Sequence, residues 1–122
     1  MTDSQHLQTA RSIIAEIIEP SAVEVDRGIY PRAGMEALGR AGLLGLLSAR
    51  EVGGLGLGLR AAAEVVEQVG AACGSTGMVL CMHYAGVAVL EKCASESVRR
   101  AAAERRHLST LAFSESGSHN HP

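Results

Sequence analysis

The longest uncharged stretch of the chain runs over residues 68–90, which contain no Asp, Glu, Lys or Arg. Ser75 or Thr76 can cap a first helical turn here, because a hydroxyl at that position accepts a hydrogen bond from an unpaired backbone N–H. Charges return at Glu91. A helix that is apolar on all sides must be enclosed by other elements or by lipid. We therefore predict a central helix from Ser75 to Cys93.

The apolar core of this stretch is short for a membrane span. A spanning helix needs roughly 20 mostly apolar residues, whereas the strongly apolar part runs from Met78 to Leu90 and contains His83 and Tyr84. Small side chains recur in it at four-residue spacing, so that another helix can lie close to that face: Gly77, Cys81 and Ala85. We predict a buried core helix and no membrane span.

Amphipathic segments before this stretch predict further helices. Apolar residues at helical spacing predict a helix from Leu7 to Ile18, which Pro20 should stop or kink, and a further turn or two from Val23 to Arg27. A second helix is predicted from about Pro31 to Ala41. Gly42 is its expected C-terminal cap.

The middle of the chain predicts a glycine-rich loop after a short apolar run. We expect the run from Leu43 to Leu47 to be extended and buried, and residues 48–59 to form the loop. The segment Gly56–Ala61 fits G-x-G-x-x-A, but a dinucleotide site also needs a strand directly before it and an acid about 20 residues later. Polar residues separate the apolar run from the glycines, and Thr76 stands where the acid should be. A nucleotide loop is therefore not predicted.

Two more helices, from Leu59 to Cys73 and from Ser95 to His107, complete the sequence-based prediction, the second with a charged and solvated face. Leu108 to Phe113 is apolar and β-like. The predicted fold class is all-α, a compact bundle of about five to six helices around the central apolar helix from Ser75 to Cys93, with a short β-like C-terminal end.

Composition narrows the classes of function. Hydrophobic residues make up 47% and charged residues 20% of the 122 residues, as in a globular domain. The formal net charge of −2 and the 2% of aromatic residues argue against a nucleic-acid partner. Three cysteines without a CxxC pattern favour reduced, buried thiols. The first 12 residues contain no apolar signal core, so we expect a cytoplasmic protein.

Histidine and serine side chains offer little further chemistry. His119 and His121 lie close together, but a zinc site needs three or four ligands, and we predict no metal site. We interpret His83 as a hydrogen-bonded core histidine. Ser114 next to Glu115 does not make a nucleophile, because no motif places a histidine beside it.

Several segments together resemble the N-terminal helical domain of the acyl-CoA dehydrogenase family. The order and spacing of these pieces carry the resemblance: Pro31, ALGRAGLLGLL from Ala37, GGLG from Gly53, the central helix with His83, and LAFSE over residues 111–115. The last piece is similar to the family's A-x-[ST]-E strand that leads into a middle β-domain. The resemblance implies an N-terminal α-helical domain over residues 1–110 and the start of a truncated β-domain over residues 111–122.

The resemblance implies a flavoenzyme that holds FAD and acts on an acyl-CoA thioester or a similar small molecule. Members of the family desaturate the Cα–Cβ bond by α-proton abstraction and hydride transfer to flavin N5, and the flavin then passes its electrons to an acceptor. Relatives with this fold oxygenate substrates through reduced flavin or oxidise nitroalkanes. Family members assemble as dimers or tetramers, so a full-length protein is expected to be a homo-oligomer.

By position, the resemblance also implies cofactor-binding residues. The backbone of Leu111 and Phe113 and the hydroxyl of Ser114 would line the flavin ring, while Ser118 and Asn120 would lie near a pyrophosphate. An extended strand can serve the polar edge of the ring, because it offers alternating backbone N–H and C=O groups.

The sequence departs from the family after Glu115. Residues 116–121, Ser-Gly-Ser-His-Asn-His, replace the family's Pro-x-x-Gly-Ser-Asp. This difference favours an oxygenase-like or uncharacterised branch over a standard dehydrogenase. The family's catalytic carboxylate belongs to a C-terminal helical domain, so we assign no catalytic residue in this chain. The alternatives to a dehydrogenase are a flavin-dependent monooxygenase-like relative and a non-catalytic helical interaction module left by truncation.

Overall fold

The computed structural model of the chain describes residues 5–104 and 108–110. Six α-helices, with no strand among the described residues, confirm the predicted all-α class. In chain order they are α1 (Gln5–Ile13), α2 (Glu19–Asp26), α3 (Arg32–Arg40), α4 (Leu59–Ala72), α5 (Gly74–Cys93) and α6 (Glu96–Ala103). Shorter helical pieces link them: a π-helical segment Ile14–Ile18 and two 3₁₀ turns, Leu43–Gly45 and Arg50–Val52.

Helix α5 is the predicted central helix, and it packs mainly against α4. Seven side chains and glycines of α5 are buried, and its Leu80 and His83 are fully enclosed. One side of α5 is open, because Met78 and Val89 are exposed. The expectation that this helix is enclosed on every side is therefore wrong for the described part of the chain.

The apolar core is built from residues of several helices. Met35 and Leu38 of α3 are buried, as are Val65 and Val69 of α4. Large apolar side chains of this core that are fully buried come from five different stretches: Ile18, Leu38, Leu43, Leu46, Val65, Val69 and Leu80. Residues of this buried cluster lie next to two buried polar side chains of α5 that form hydrogen bonds, His83 and Tyr84.

Pro20 does not stop the helical run, so of the two outcomes that we predict from the sequence, a stop or a kink, the stop is wrong. The chain continues from α1 through the π-helical segment into α2, with Pro20 in the first turn of α2. In the π-helical segment the Glu19 N–H bonds to the Ile14 carbonyl, five residues back. This wider turn changes the hydrogen-bond register just before a residue that has no N–H to donate. The Ser21 hydroxyl also bonds to the Ile17 carbonyl at 2.8 Å.

The apolar run from Leu43 to Leu47 is buried for the most part, but it is not extended. A 3₁₀ turn spans Leu43–Gly45, and it follows Gly42, whose φ of 83° is left-handed and ends α3 as predicted. Because glycine has no Cβ, it adopts this φ at little cost. The turn directs two successive carbonyl oxygens, those of Leu43 and Leu44, towards α5.

Helix α6 ends earlier than predicted in the described part of the chain, at Ala103, and residues 105–107 lie outside that part. An ion pair between Arg99 and Glu91, with 2.9 Å between Nη2 and Oε1, joins α6 to the end of α5. Arg99 also lies 3.4 Å from Glu51 in the second 3₁₀ turn. None of the helices in the described part of the chain has the length and apolar character needed to span a bilayer.

Candidate functional site

The predicted flavin contacts all lie outside the residues that the structure describes. They are Leu111, Phe113, Ser114, Ser118 and Asn120. The described residues that come closest to them in sequence are Leu108, Ser109 and Thr110. The structure therefore bears on the predicted flavin site only through the contacts of these three residues.

His83 holds Ser109 from the centre of the bundle. Its imidazole is fully buried on α5. The backbone N–H of Ser109 donates to Nδ1 at 3.0 Å, and Nε2 lies 2.8 Å from the Leu44 carbonyl oxygen. A ring nitrogen that accepts a hydrogen bond carries no proton, so the proton is on Nε2, which donates to Leu44. The interpretation of His83 as a hydrogen-bonded core histidine is confirmed.

Gly86 makes room for the same segment one turn further along α5. A Cβ built on Gly86 would meet the side chain of Ser109, with its Cβ 2.8 Å away, and would lie 3.1 Å from the Thr110 nitrogen. Any larger residue would push the segment off the helix. His83 and Gly86, which we call the exit dock, thus receive Ser109 on one face of α5.

Tyr84 adds a parallel link to the 3₁₀ turn. Its hydroxyl donates to the Leu43 carbonyl oxygen at 2.6 Å, while the neighbouring His83 bonds to the Leu44 carbonyl. Burial raises the pKa of the Tyr84 phenol well above its usual range, because the phenolate would lose its hydration. Sequence reasoning missed this role of Tyr84, since its partner lies 41 residues away and no local pattern connects the two.

An apolar cleft lies open between α4 and α5, with a volume of about 430 Å³. Its lining residues are almost all apolar: Leu59, Ala62, Ala63, Val66, Cys81, Tyr84 and Ala85, with Glu67 as the charged exception. A second cleft of about 610 Å³ shares Leu59 and continues past Ala88 and Val89. Two members of the predicted small-residue face, Cys81 and Ala85, line the first cleft, while Gly77 packs on Gly70 of α4.

A third cleft, of about 350 Å³, lies between α3 and the chain that leaves α6. Leu108 lines this cleft together with Arg32, Glu36 and Arg40. Glu36 pairs with both arginines at 3.9 Å. In residues 5–104 and 108–110 no group of three or more His, Cys, Asp or Glu side chains is arranged to hold a metal ion.

Comparisons with known proteins agree with one another. The family model described as "Acyl-CoA dehydrogenase, N-terminal domain" matches residues 2–105. The human short-chain specific acyl-CoA dehydrogenase, mitochondrial, is 32% identical over 83 residues, which cover 67% of this chain and 20% of that protein. The short-chain specific acyl-CoA dehydrogenase of Clostridium acetobutylicum is 29% identical over 86 residues, 68% of this chain and 23% of that protein. The chain thus spans about a fifth of the length of these relatives. No solved structure gives a significant match.

Proposed function

Because this chain belongs to the acyl-CoA dehydrogenase family, whose N-terminal domain it matches over residues 2–105, we propose that it is the N-terminal helical part of an FAD-dependent acyl-CoA dehydrogenase. The reaction would be α,β-desaturation of an acyl-CoA thioester. Bound FAD would supply the hydride acceptor, and the chain's own contribution would be to bind and orient the flavin ring. The general base would come from a part of the protein beyond these residues.

The observation that supports this proposal best is the position of the exit dock. His83 and Gly86 hold Ser109 on the central helix, two residues before Leu111. From there the backbone of Leu111 and Phe113 and the Ser114 hydroxyl would follow along the ring edge. Ser118 and Asn120 would lie nearer the pyrophosphate. A helical domain that fixes the start of a strand can place such contacts reproducibly, since binding groups on rigid supports hold their geometry best.

The open apolar clefts of α4 and α5 fit a domain that is covered by a further part of its protein. Exposed apolar patches of this kind mark interaction surfaces. Because the chain spans about a fifth of the relatives' length, we propose that further domains pack on this face and that the full protein is a homo-oligomer. We also propose short-chain acyl-CoA as substrate, following the printed names of the relatives, and a cytoplasmic location with a separate electron acceptor.

A second candidate is a flavin-dependent monooxygenase-like enzyme. The departure from Pro-x-x-Gly-Ser-Asp at residues 116–121 favours it, because the acid of that motif is missing. A non-catalytic helical module is the remaining alternative from the sequence.

The test is a flavin assay on the protein purified from its natural host. We expect a flavin absorbance spectrum that bleaches when short-chain acyl-CoA is added without oxygen, with slower bleaching as the acyl chain lengthens. Oxygen consumption that requires an external reductant would favour the monooxygenase instead. If the purified protein contains no flavin, the non-catalytic helical module would be the one candidate function that remains. The 122-residue chain alone is expected to bind FAD weakly, as a flavin titration will measure.

A further inference from the structure

We propose that the exit dock, His83 with Gly86, sets the position of the predicted flavin strand, so that His83 is a positioning residue for the cofactor. This inference rests on the proposed function. It concerns a residue in the centre of the helical domain, which touches neither the substrate nor the flavin in the proposed arrangement. Its effect would pass through Ser109.

The short distance along the chain makes the dock effective. An extended chain spans at most about 3.3–3.6 Å per residue. Leu111 follows Ser109 by two residues, so its Cα must lie within roughly 7 Å of the Ser109 Cα. The attachment of Ser109 to α5 therefore limits how far from α5 the backbone groups proposed to meet the flavin ring can lie.

The imidazole of His83 is itself held in one orientation. Nε2 donates to the Leu44 carbonyl oxygen at 2.8 Å, so Nδ1 carries no proton and accepts the hydrogen bond of the Ser109 N–H. The hydrogen bond of one ring nitrogen decides the role of the other. The 3₁₀ turn Leu43–Gly45 thus fixes the tautomer that the exit segment needs.

A hydrogen bond, and not the burial of an apolar side chain, attaches the exit segment to α5. Leu108 is 43% exposed, and Thr110 is exposed as well, whereas Ser109 is half-buried. A segment anchored by the hydrophobic effect would bury its leucine side chain. Here the enclosed partner is instead a backbone N–H, and a hydrogen bond depends strongly on distance and angle.

The first test is hydrogen exchange of the Ser109 amide in the 122-residue chain, followed by NMR. In the native chain we expect this amide to be protected, and in His83→Ala to lose roughly five- to tenfold of its protection. His83→Gln should restore part of it, because a side-chain amide can accept from Ser109 and donate to Leu44. Gly86→Ala should expose the same amide by displacing the segment.

Tyr84→Phe is the matched control for general destabilisation. It removes a buried hydrogen bond from the neighbouring residue to the same 3₁₀ turn, but it leaves the Ser109 contact in place. We expect Ser109 to stay protected in this variant. If the native Ser109 amide exchanges as fast as in a short unfolded peptide, or if Tyr84→Phe exposes it as much as His83→Ala does, the dock is refuted.

The second test is FAD affinity in the full flavoprotein. We expect His83→Ala to weaken FAD binding about tenfold or more, His83→Gln to recover part of the loss, and Tyr84→Phe to keep native affinity. Unchanged FAD affinity in His83→Ala, with Ser109 exposed, would overturn the positioning role while the proposed function stands. A native protein that binds no flavin would overturn both, even if Ser109 is protected.

Discussion

Two glycines that face each other between α4 and α5 should respond in opposite ways to the same substitution. A Cβ built on Gly77 of α5 would lie 2.6 Å from the Gly70 Cα and 3.0 Å from its nitrogen, whereas a Cβ built on Gly70 meets no atom within 4 Å. Gly77→Ala therefore forces two backbones apart, while Gly70→Ala adds a methyl group to free space. Both replacements put a better helix former into a helix.

The magnitudes follow from these distances. Overpacking a tight contact costs about 1–3 kcal/mol, and replacing Gly by Ala inside a helix gains up to about 1 kcal/mol. We expect Gly77→Ala to lower the free energy of unfolding by about 1–2 kcal/mol after this gain. Gly70→Ala should raise it by about 0.5–1 kcal/mol, since only the helix propensity changes.

Urea unfolding of the 122-residue chain, followed by far-UV circular dichroism, measures both changes. Because both variants carry the same exchange of residue types, Gly70→Ala is the control for propensity and for effects on the unfolded chain. The two midpoints should lie on opposite sides of the native midpoint with similar slopes. The close packing of α4 on α5 at Gly77 would be refuted if Gly77→Ala is as stable as the native chain, or if both variants move in the same direction.

Three further predictions test individual buried groups. His6 is buried, and neither of its ring nitrogens has a hydrogen-bond partner among the residues that the structure describes. His6→Leu should therefore raise the urea midpoint by the equivalent of about 1 kcal/mol; a lower midpoint would contradict this. Tyr84→Phe should lower the free energy of unfolding by about 1–2 kcal/mol, because the Leu43 carbonyl loses its donor. Because burial raises the pKa of Tyr84, the stability of the native chain should also fall as the pH rises above the usual tyrosine pKa of about 10. In Tyr30→Phe, which leaves Tyr84 as the sole tyrosine, the phenolate absorbance should appear at the same pH at which the helical circular dichroism is lost. Of the three thiols, only Cys73 is buried, so an aromatic disulfide reagent should react quickly with two and reach the third on unfolding.

The helices were predictable because each has a local pattern. Charge-free sequence marks α5, apolar residues at helical spacing mark α4, and Gly42 marks the end of α3. These signals act over a few residues, and the structure confirms helix ends within about one residue for α3, α4 and α5. The burial of Val65 and Val69 followed from the same spacing.

The features that sequence reasoning missed depend on partners far away in the chain. Nothing local requires the run after Gly42 to be a 3₁₀ turn, but the turn lets Leu43 and Leu44 offer their carbonyls to side chains 41 and 39 residues later. The π-helical segment before Pro20 was missed for a different reason, because a proline has several ways to be accommodated in a continuous helix and local propensity does not choose among them. The open face of α5 was missed because uncharged sequence shows that a helix is apolar, but not what covers each side.

The exit dock lies where separate pieces of the sequence that carry the family resemblance meet. The 3₁₀ turn comes from the ALGRAGLLGLL segment, His83 comes from the central helix, and Ser109 leads directly into LAFSE. These three segments are far apart in sequence, yet one imidazole bonds to the first and the last of them at 2.8 and 3.0 Å. A displacement of the turn or of the exit segment relative to α5 would break one of these hydrogen bonds inside the core. In this fold, His83 is therefore the residue at which the turn, the central helix and the exit segment meet.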